Sequence, residues 1–155
     1  PVRATDWVQG ATDELEKQGL RVHHGKWLIE GRPRVLLIDT SSVRSYLHEV
    51  KYRLWNDHGI ESPPGDGLVD AVVAFAEACR RLIEALTKHA GVGAGGAAGG
   101  RELIAHFHEW MGGMAIPMVR RQEMPVAVVF TTHATQLGRY LAASDDNFYD
   151  RLPWY

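Results

Sequence analysis

Histidine and glutamate side chains follow two apolar segments in the second half of the chain, and these residue types are suited to chemistry. The first segment ends in His-Phe-His-Glu-Trp at 106–110, and the second in Phe-Thr-Thr-His-Ala-Thr at 130–135. Because side chains alternate along a strand, both histidines of the first run project to the same side. Glu109 and His133 fall where the next helices begin. Imidazole, carboxylate and hydroxyl groups at neighbouring strand ends indicate a site for a polar ligand.

A structural role and a metal site are the alternatives for these residues. A histidine at a strand end is often structural, which we expect for His106, and Glu109 is as suited to capping its helix as to binding a ligand. His-x-His with Glu109 and His133 also offers metal ligands and makes a metal-dependent hydrolase a weaker alternative. The spacing is not specific, since the chain lacks a His-Glu-x-x-His pattern. We therefore expect neither a metal nor a cofactor, and we expect Trp110 and Met111 to pack.

The elements that must position these residues alternate between strand and helix. Strand patterns cover 103–107 and 126–131, and helical patterns cover 109–121 and 133–142. Short connections between them indicate an α/β fold with parallel strands. Open sheets of this kind bind ligands at the carboxyl ends of their strands, where helix N-termini are expected to offer free N–H groups to an oxygen-rich ligand.

The first half of the chain is predicted to hold helices and a strand region. Apolar spacing predicts helices from the cap Thr5 to the stop Gly19, over 43–57 and over 68–88. Short β-like pieces lie at 21–24, 27–29 and 35–38. The last of these pieces, Val-Leu-Leu-Ile, is typical of a strand buried on both faces.

A glycine-rich segment separates the two halves. Residues 91–100 contain a G-x-G-x-x-G pattern, but it follows a predicted helix and precedes a strand. That order is the reverse of the one in which the pattern binds a dinucleotide phosphate, so we expect a flexible loop.

Length and composition indicate one domain over residues 1–155. Hydrophobic residues at 45% and charged residues at 23% are ordinary for a globular protein, and the formal charge of −2 favours neither nucleic acid nor an anionic membrane. The apolar stretch Leu68 to Ala78 is too short to span a bilayer. The single cysteine, Cys79, is expected to be a small buried apolar residue rather than a nucleophile. It cannot form an internal disulfide, which indicates the cytoplasm.

Four blocks of sequence resemble the amino-terminal domain of the fungal and animal glycogen (starch) synthases. They occur in the family's order and lie at 27–31, 106–110, 130–141 and 147–150. The resemblance implies a retaining glycosyltransferase of the GT-B type, which transfers glucose from UDP-glucose or ADP-glucose to the non-reducing end of an α-1,4-glucan. This chain would be a Rossmann-like parallel sheet flanked by helices, forming part of the amino-terminal domain and lacking the donor-binding domain.

The resemblance also implies roles for individual residues. His133 matches the family's active-site histidine, which faces the transferred glucose. Arg139 matches an arginine near the donor phosphates, and Glu109 matches an acidic position on the sugar side of the cleft. Thr132 and His108 are expected among the substrate-binding residues, with His108 supporting the cleft rather than taking part in chemistry.

Two further expectations follow from a partial domain. The isolated chain is expected to be inactive, and apolar surface left uncovered is expected to favour a homo-oligomer. A non-catalytic module that binds α-glucan or a nucleotide-sugar is the alternative function.

Overall fold

Helices and short strands alternate along the chain in a mixed α/β arrangement, which a computed structural model describes for residues 6–92 and 102–154. The first part holds α1 (Asp6–Lys17), β1 (Val22–Lys26), β2 (Arg34–Ile38), α2 (Leu47–His58) and α3 (Gly67–Ala90). The second part holds β3 (Ile104–His108), α4 (Glu109–Gly113), α5 (Ile116–Arg121), β4 (Ala127–Thr131), α6 (Gln136–Ser144) and α7 (Phe148–Arg151). Short 3-10 helices cover Val43–Tyr46 and Leu152–Trp154.

The long helix α3 organises the core. It begins at the N-cap Asp66, whose side chain accepts hydrogen bonds from the backbone N–H groups of Leu68 and Val69. It ends at Gly91, where a φ of 68° is available to glycine at little cost. The largest fully buried side chains are Val73 of α3 itself and, in the same hydrophobic cluster, Leu15, Leu20, Val43, Val50, Leu54 and Val119. These contacts support the strands that carry the site.

One charged residue, Glu77 of α3, is buried in this core and is only 2% exposed. Both of its carboxylate oxygens accept hydrogen bonds from the Arg80 guanidinium, at 2.7 and 2.9 Å. Arg53 lies 3.4 Å away and adds a second cation. The bidentate pairing with Arg80 compensates for the loss of water around the buried carboxylate.

The strands form two small sheets within the described residues. β1 and β2 pair antiparallel, whereas β3 and β4 pair parallel, with Phe107 opposite Phe130 and His108 opposite Thr131. The expected α/β class with a parallel strand pair is confirmed at this level. The larger Rossmann-like sheet stays a prediction, as does the division of 1–155 into a single domain.

Two details predicted for the first sheet are wrong. Residues 27–29 lie in the turn between β1 and β2, where Arg32 N–H donates to Ile29 O at 3.0 Å and Gly31 has a φ of 76°. β2 is also not buried on both faces, since Leu37 is 51% exposed. A hairpin strand that packs one face on the core leaves alternate side chains in solvent.

The helices are confirmed with shifted ends. The predicted helix over 109–121 is divided into α4 and α5, because Pro117 at the start of α5 has no N–H for a continuous helix. The helix predicted from His133 begins instead at Gln136. The first turn of the helix predicted over 43–57 is a 3-10 turn. Thr5 and residues 93–100 of the glycine-rich segment lie outside the described residues.

No helix among the described residues is long and apolar enough to cross a membrane.

Candidate functional site

The parallel pairing of β3 and β4 brings the ends of both strands side by side. His108 ends β3 and Thr131 ends β4, and they are direct partners in the register. The residues that follow each strand therefore lie next to one another, as the sequence predicts. Glu109, immediately after β3, reaches the loop 132–135 that follows β4.

Glu109 ties the two strand ends together. Its Oε1 accepts hydrogen bonds from the backbone N–H groups of His133, at 2.5 Å, and of Ala134, at 3.3 Å. Glu109 adopts a φ of 59°, a conformation that is uncommon for a residue with a side chain and costs about 1–3 kcal/mol. The carboxylate thus neither caps its own helix nor points freely into solvent. It holds the loop that carries His133.

The same contacts set the charge of Glu109. The hydrogen bond from His133 N–H is the main cause that lowers the pKa of this carboxyl below its ordinary value of 4.5. Desolvation opposes this as the second-largest effect, and the N–H of Ala134 and electrostatic interactions with His133 and Arg139 lower the pKa by smaller amounts. Glu109 is therefore a carboxylate at neutral pH. The N–H groups of 133 and 134, expected to be free for an oxygen-rich ligand, are already bound to it.

Three imidazole rings lie beside the hydrogen bonds that join Glu109 to the loop 132–135, which we call the Glu109 tether. His108 Nδ1 lies 3.1 Å from His133 Nε2, within hydrogen-bonding distance. The His106 ring packs against the His108 ring with centroids 4.1 Å apart, and its Nε2 lies 2.7 Å from the Thr131 hydroxyl. The ring packing and the contact with Thr131 give His106 the structural role expected of it. The contact between the ring nitrogens joins His108 and His133 into a pair, which we call the imidazole pair.

The start of α6 positions Arg139. Thr135 is the N-cap, with an extended ψ of 156°, and its hydroxyl accepts a hydrogen bond from Gly138 N–H at 2.9 Å. Residues before this cap cannot belong to the helix, which explains why α6 begins after His133. Arg139 lies in the first turn, with its backbone N–H bonded to Thr135 O.

A cleft of about 620 Å³ opens between α4 and the loop before α6, and we call it the α4–α6 cleft. Its polar lining is Glu109, Thr132, Thr135 and Arg139, and its apolar lining is Trp110, Met111, Phe130 and Ala134. Trp110 is 49% and Met111 46% exposed there, so the expected packing of these two side chains is only partial. Glu109, Thr132 and Arg139 meet in this cleft as predicted, whereas His133 turns its ring toward His108 beside it.

The position of Phe130 depends on a glycine that sequence reasoning missed. A Cβ on Gly113 would lie 2.8 Å from Cε2 of the Phe130 ring, so the ring packs directly on the α4 backbone. The Gly112-Gly113 dipeptide was the available signal. Its meaning depends on which side chain approaches it, and the sequence does not show this.

The alternatives based on metal and thiol chemistry gain no support. Among residues 6–92 and 102–154, no group of three or more histidine, cysteine, aspartate or glutamate side chains is placed to hold a metal ion. Burial raises the pKa of the Cys79 thiol to about 12, so it is protonated at neutral pH. Cys79 packs against the core, as expected of a small apolar residue.

Comparison with known proteins points to one family. The glycogen synthase family model matches residues 2–155. A glycogen (starch) synthase of Neurospora crassa is 38% identical over 148 residues, which cover 96% of this chain and 20% of that protein. Isoform 2 of Saccharomyces cerevisiae is 41% identical over 150 residues, covering 94% and 20%. The liver protein of Rattus norvegicus is 38% identical over 149 residues, covering 96% and 20%. The chain spans about a fifth of the length of these curated relatives.

Proposed function

The chain belongs to the glycogen synthase family, and from this we propose that it forms the acceptor-facing half of the catalytic cleft of a retaining glycosyltransferase. The complete enzyme, of the GT-B type, would transfer glucose from UDP-glucose or ADP-glucose to the non-reducing end of an α-1,4-glucan. One observation carries the proposal. The family match runs from residue 2 to residue 155 and includes the residues gathered at the ends of β3 and β4.

Arg139 supplies the positive charge that this reaction needs. When the bond to the nucleotide breaks, negative charge develops on the departing phosphate, and a preformed cation stabilises it. The Arg139 side chain lines the α4–α6 cleft and is exposed to an incoming ligand. Its planar guanidinium can bind two phosphate oxygens at once. Glu109 Oε1 is bound to the loop, and among the described residues no direct ion pair joins Glu109 to Arg139.

His133 and Thr132 are the groups for the sugar. Positive charge develops on the transferred glucose, and hydroxyl groups around it need donors and acceptors held in place. Both residues are exposed and lie on the loop that Glu109 fixes at two backbone N–H groups. A loop held in this way presents its side chains without a large entropy loss on binding. Glu109 holds the loop on the sugar side of the cleft, and His108 contacts His133.

We place the enzyme in the cytoplasm and expect no cofactor beyond the donor itself.

Release of nucleoside diphosphate tests the proposal. The longest natural polypeptide that contains these 155 residues is compared with this chain alone, using each donor with glycogen as acceptor. We expect turnover by the longer polypeptide and none by this chain. Arg139→Ala should lower kcat/KM for the donor about ten-fold or more, since a charged hydrogen bond contributes about 1.5–3 kcal/mol. Arg34→Ala, a change at an exposed arginine of β2, is the control and should leave kcat/KM unchanged. Absence of turnover with either donor contradicts the proposal and favours a non-catalytic binding module.

A further inference from the structure

We propose that His108 is a positioning residue for His133: it engages Nε2 of His133, so that His133 meets its substrate through Nδ1. This inference rests on the proposed function, in which His133 contacts the transferred glucose. It goes beyond general support of the cleft, because it assigns a specific atom of His133 to the substrate and a specific cause to that assignment.

The geometry of the imidazole pair supports a directed hydrogen bond. The two rings are nearly parallel, with an angle of 6° between their planes, and their centroids lie 5.4 Å apart. A contact of 3.1 Å between His108 Nδ1 and His133 Nε2 at this separation places the rings edge to edge. The nitrogen lone pair of one ring then points at the N–H of the other, which is the favourable direction for a hydrogen bond.

Both members of the imidazole pair are held by independent contacts. His108 lies at the end of β3 with an extended backbone, and one face of its ring packs on His106. His106 is in turn bonded to the Thr131 hydroxyl. His133 is held through its own backbone N–H, which donates to Glu109. The bond between the rings therefore forms between parts that are already in place and does not have to order them.

The pair restricts what His133 offers to a ligand. A neutral imidazole has one N–H donor and one acceptor nitrogen, so an unpaired histidine can donate with one and accept with the other. If His108 donates to Nε2, the proton of His133 lies on Nδ1, which becomes a donor. If His133 donates from Nε2, its Nδ1 becomes an acceptor. Among the described residues no group bonds Nδ1 of His133, so in both arrangements that nitrogen is the one left for a ligand.

Nitrogen NMR of the histidine rings tests the pair in this chain without any activity. At mildly alkaline pH we expect His133 to show one tautomer. His108→Phe keeps a ring and removes the nitrogen, and His133 should then show the mixed tautomers of a free imidazole. His108→Asn places an amide near the lost nitrogen and should restore a single tautomer. Signals of the exposed His48 on α2 are the control and should not move.

The outcomes separate this inference from the proposed function. Absence of a nitrogen–nitrogen coupling across the bond between His108 Nδ1 and His133 Nε2 in the unchanged chain, or a tautomer distribution of His133 that His108→Phe leaves unaltered, would overturn the role of His108. The unchanged chain suffices for the first of these, even if a variant fails to fold. In the longer polypeptide, His108→Phe should lower kcat about ten-fold with little change in KM, and His108→Asn should recover most of it. Absence of turnover in the unchanged longer polypeptide contradicts the proposed function and leaves the NMR result standing.

Discussion

Adding one methyl group at Gly113 should disturb the α4–α6 cleft, whereas the same change one residue earlier should not. A Cβ on Gly113 would lie 2.8 Å from Cε2 and 3.3 Å from Cδ2 of Phe130. A Cβ on Gly112 would meet its nearest heavy atom, the backbone carbon of Phe107, at 4.0 Å. The first distance is too short for two carbon atoms, so the Phe130 ring must move. The second is an ordinary contact.

The difference in free energy of unfolding between the two variants follows from these distances. Forcing a methyl group into an occupied space costs about 1–3 kcal/mol. Phe130 is 51% exposed and can partly move aside, so we expect the free energy of unfolding of Gly113→Ala to be about 1–2 kcal/mol lower than that of Gly112→Ala. Gly112→Ala should be neutral or stabilising by up to about 1 kcal/mol, because alanine favours a helix over glycine.

Urea unfolding of both variants measures the difference, and a second change identifies its cause. In a Phe130→Ala background the ring is gone, so Gly113→Ala should no longer be more destabilising than Gly112→Ala. Each kcal/mol lost from the free energy of unfolding should also lower Tm by about 2–4 °C in a protein of this size. Equal stability of the two alanine variants would refute the reasoning. A penalty that persists without the Phe130 ring would show that its cause lies elsewhere.

Three further predictions concern charge and exposed surface. Because the pKa of Glu109 is lowered in the folded chain, its tether should be complete above pH 4.5 and be lost as pH falls through the lower folded value. The NMR signals of the backbone amides of residues 133 and 134 should change with that titration, and Glu109→Gln should abolish the change. A midpoint above pH 4.5 would contradict the Glu109 tether. Glu77→Ala should lower the free energy of unfolding in urea by about 1.5–3 kcal/mol, because Arg80 loses its buried bidentate partner and keeps only its bonds to Glu84 and Gln122. Glu84→Ala, at a carboxylate that is 59% exposed, should lower it by less than about 1 kcal/mol. Equal losses would show that burial is not the cause. The isolated chain should self-associate in sedimentation experiments, since Tyr149 and Trp154 are 83% and 85% exposed; a monomer at all concentrations would be against it.

The gathering of site residues could be predicted because it depends on local patterns. Apolar strand segments followed by polar residues, joined by short connections, place Glu109 and the loop 132–135 at adjacent strand ends. The match to the glycogen synthase family confirms the resemblance carried by the same blocks. Helix α3 was predictable for a similar reason, since its apolar spacing is long and regular.

The details of the site depend on contacts that no local pattern encodes. The reach of Glu109 to residue 133 requires a positive φ at a glutamate, which its residue type does not favour. The imidazole pair requires the exact ring directions at 108 and 133, which lie 25 residues apart along the chain. The position of the His133 ring beside the α4–α6 cleft rather than in its lining follows from that pairing. Apolar periodicity predicts the face of a strand on which a side chain lies, but it does not predict which side chain an imidazole ring contacts.

Turnover in the longest natural polypeptide containing this chain, with and without His133→Ala, bears most directly on the assignment of a transferase site. Nucleoside diphosphate release from UDP-glucose and ADP-glucose is measured with glycogen as acceptor, and His48→Ala on α2 serves as the matched control. We expect clear turnover that His48→Ala preserves and His133→Ala lowers by at least about a hundred-fold, or roughly 2.7 kcal/mol of transition-state stabilisation. Turnover that survives His133→Ala would contradict the site described here.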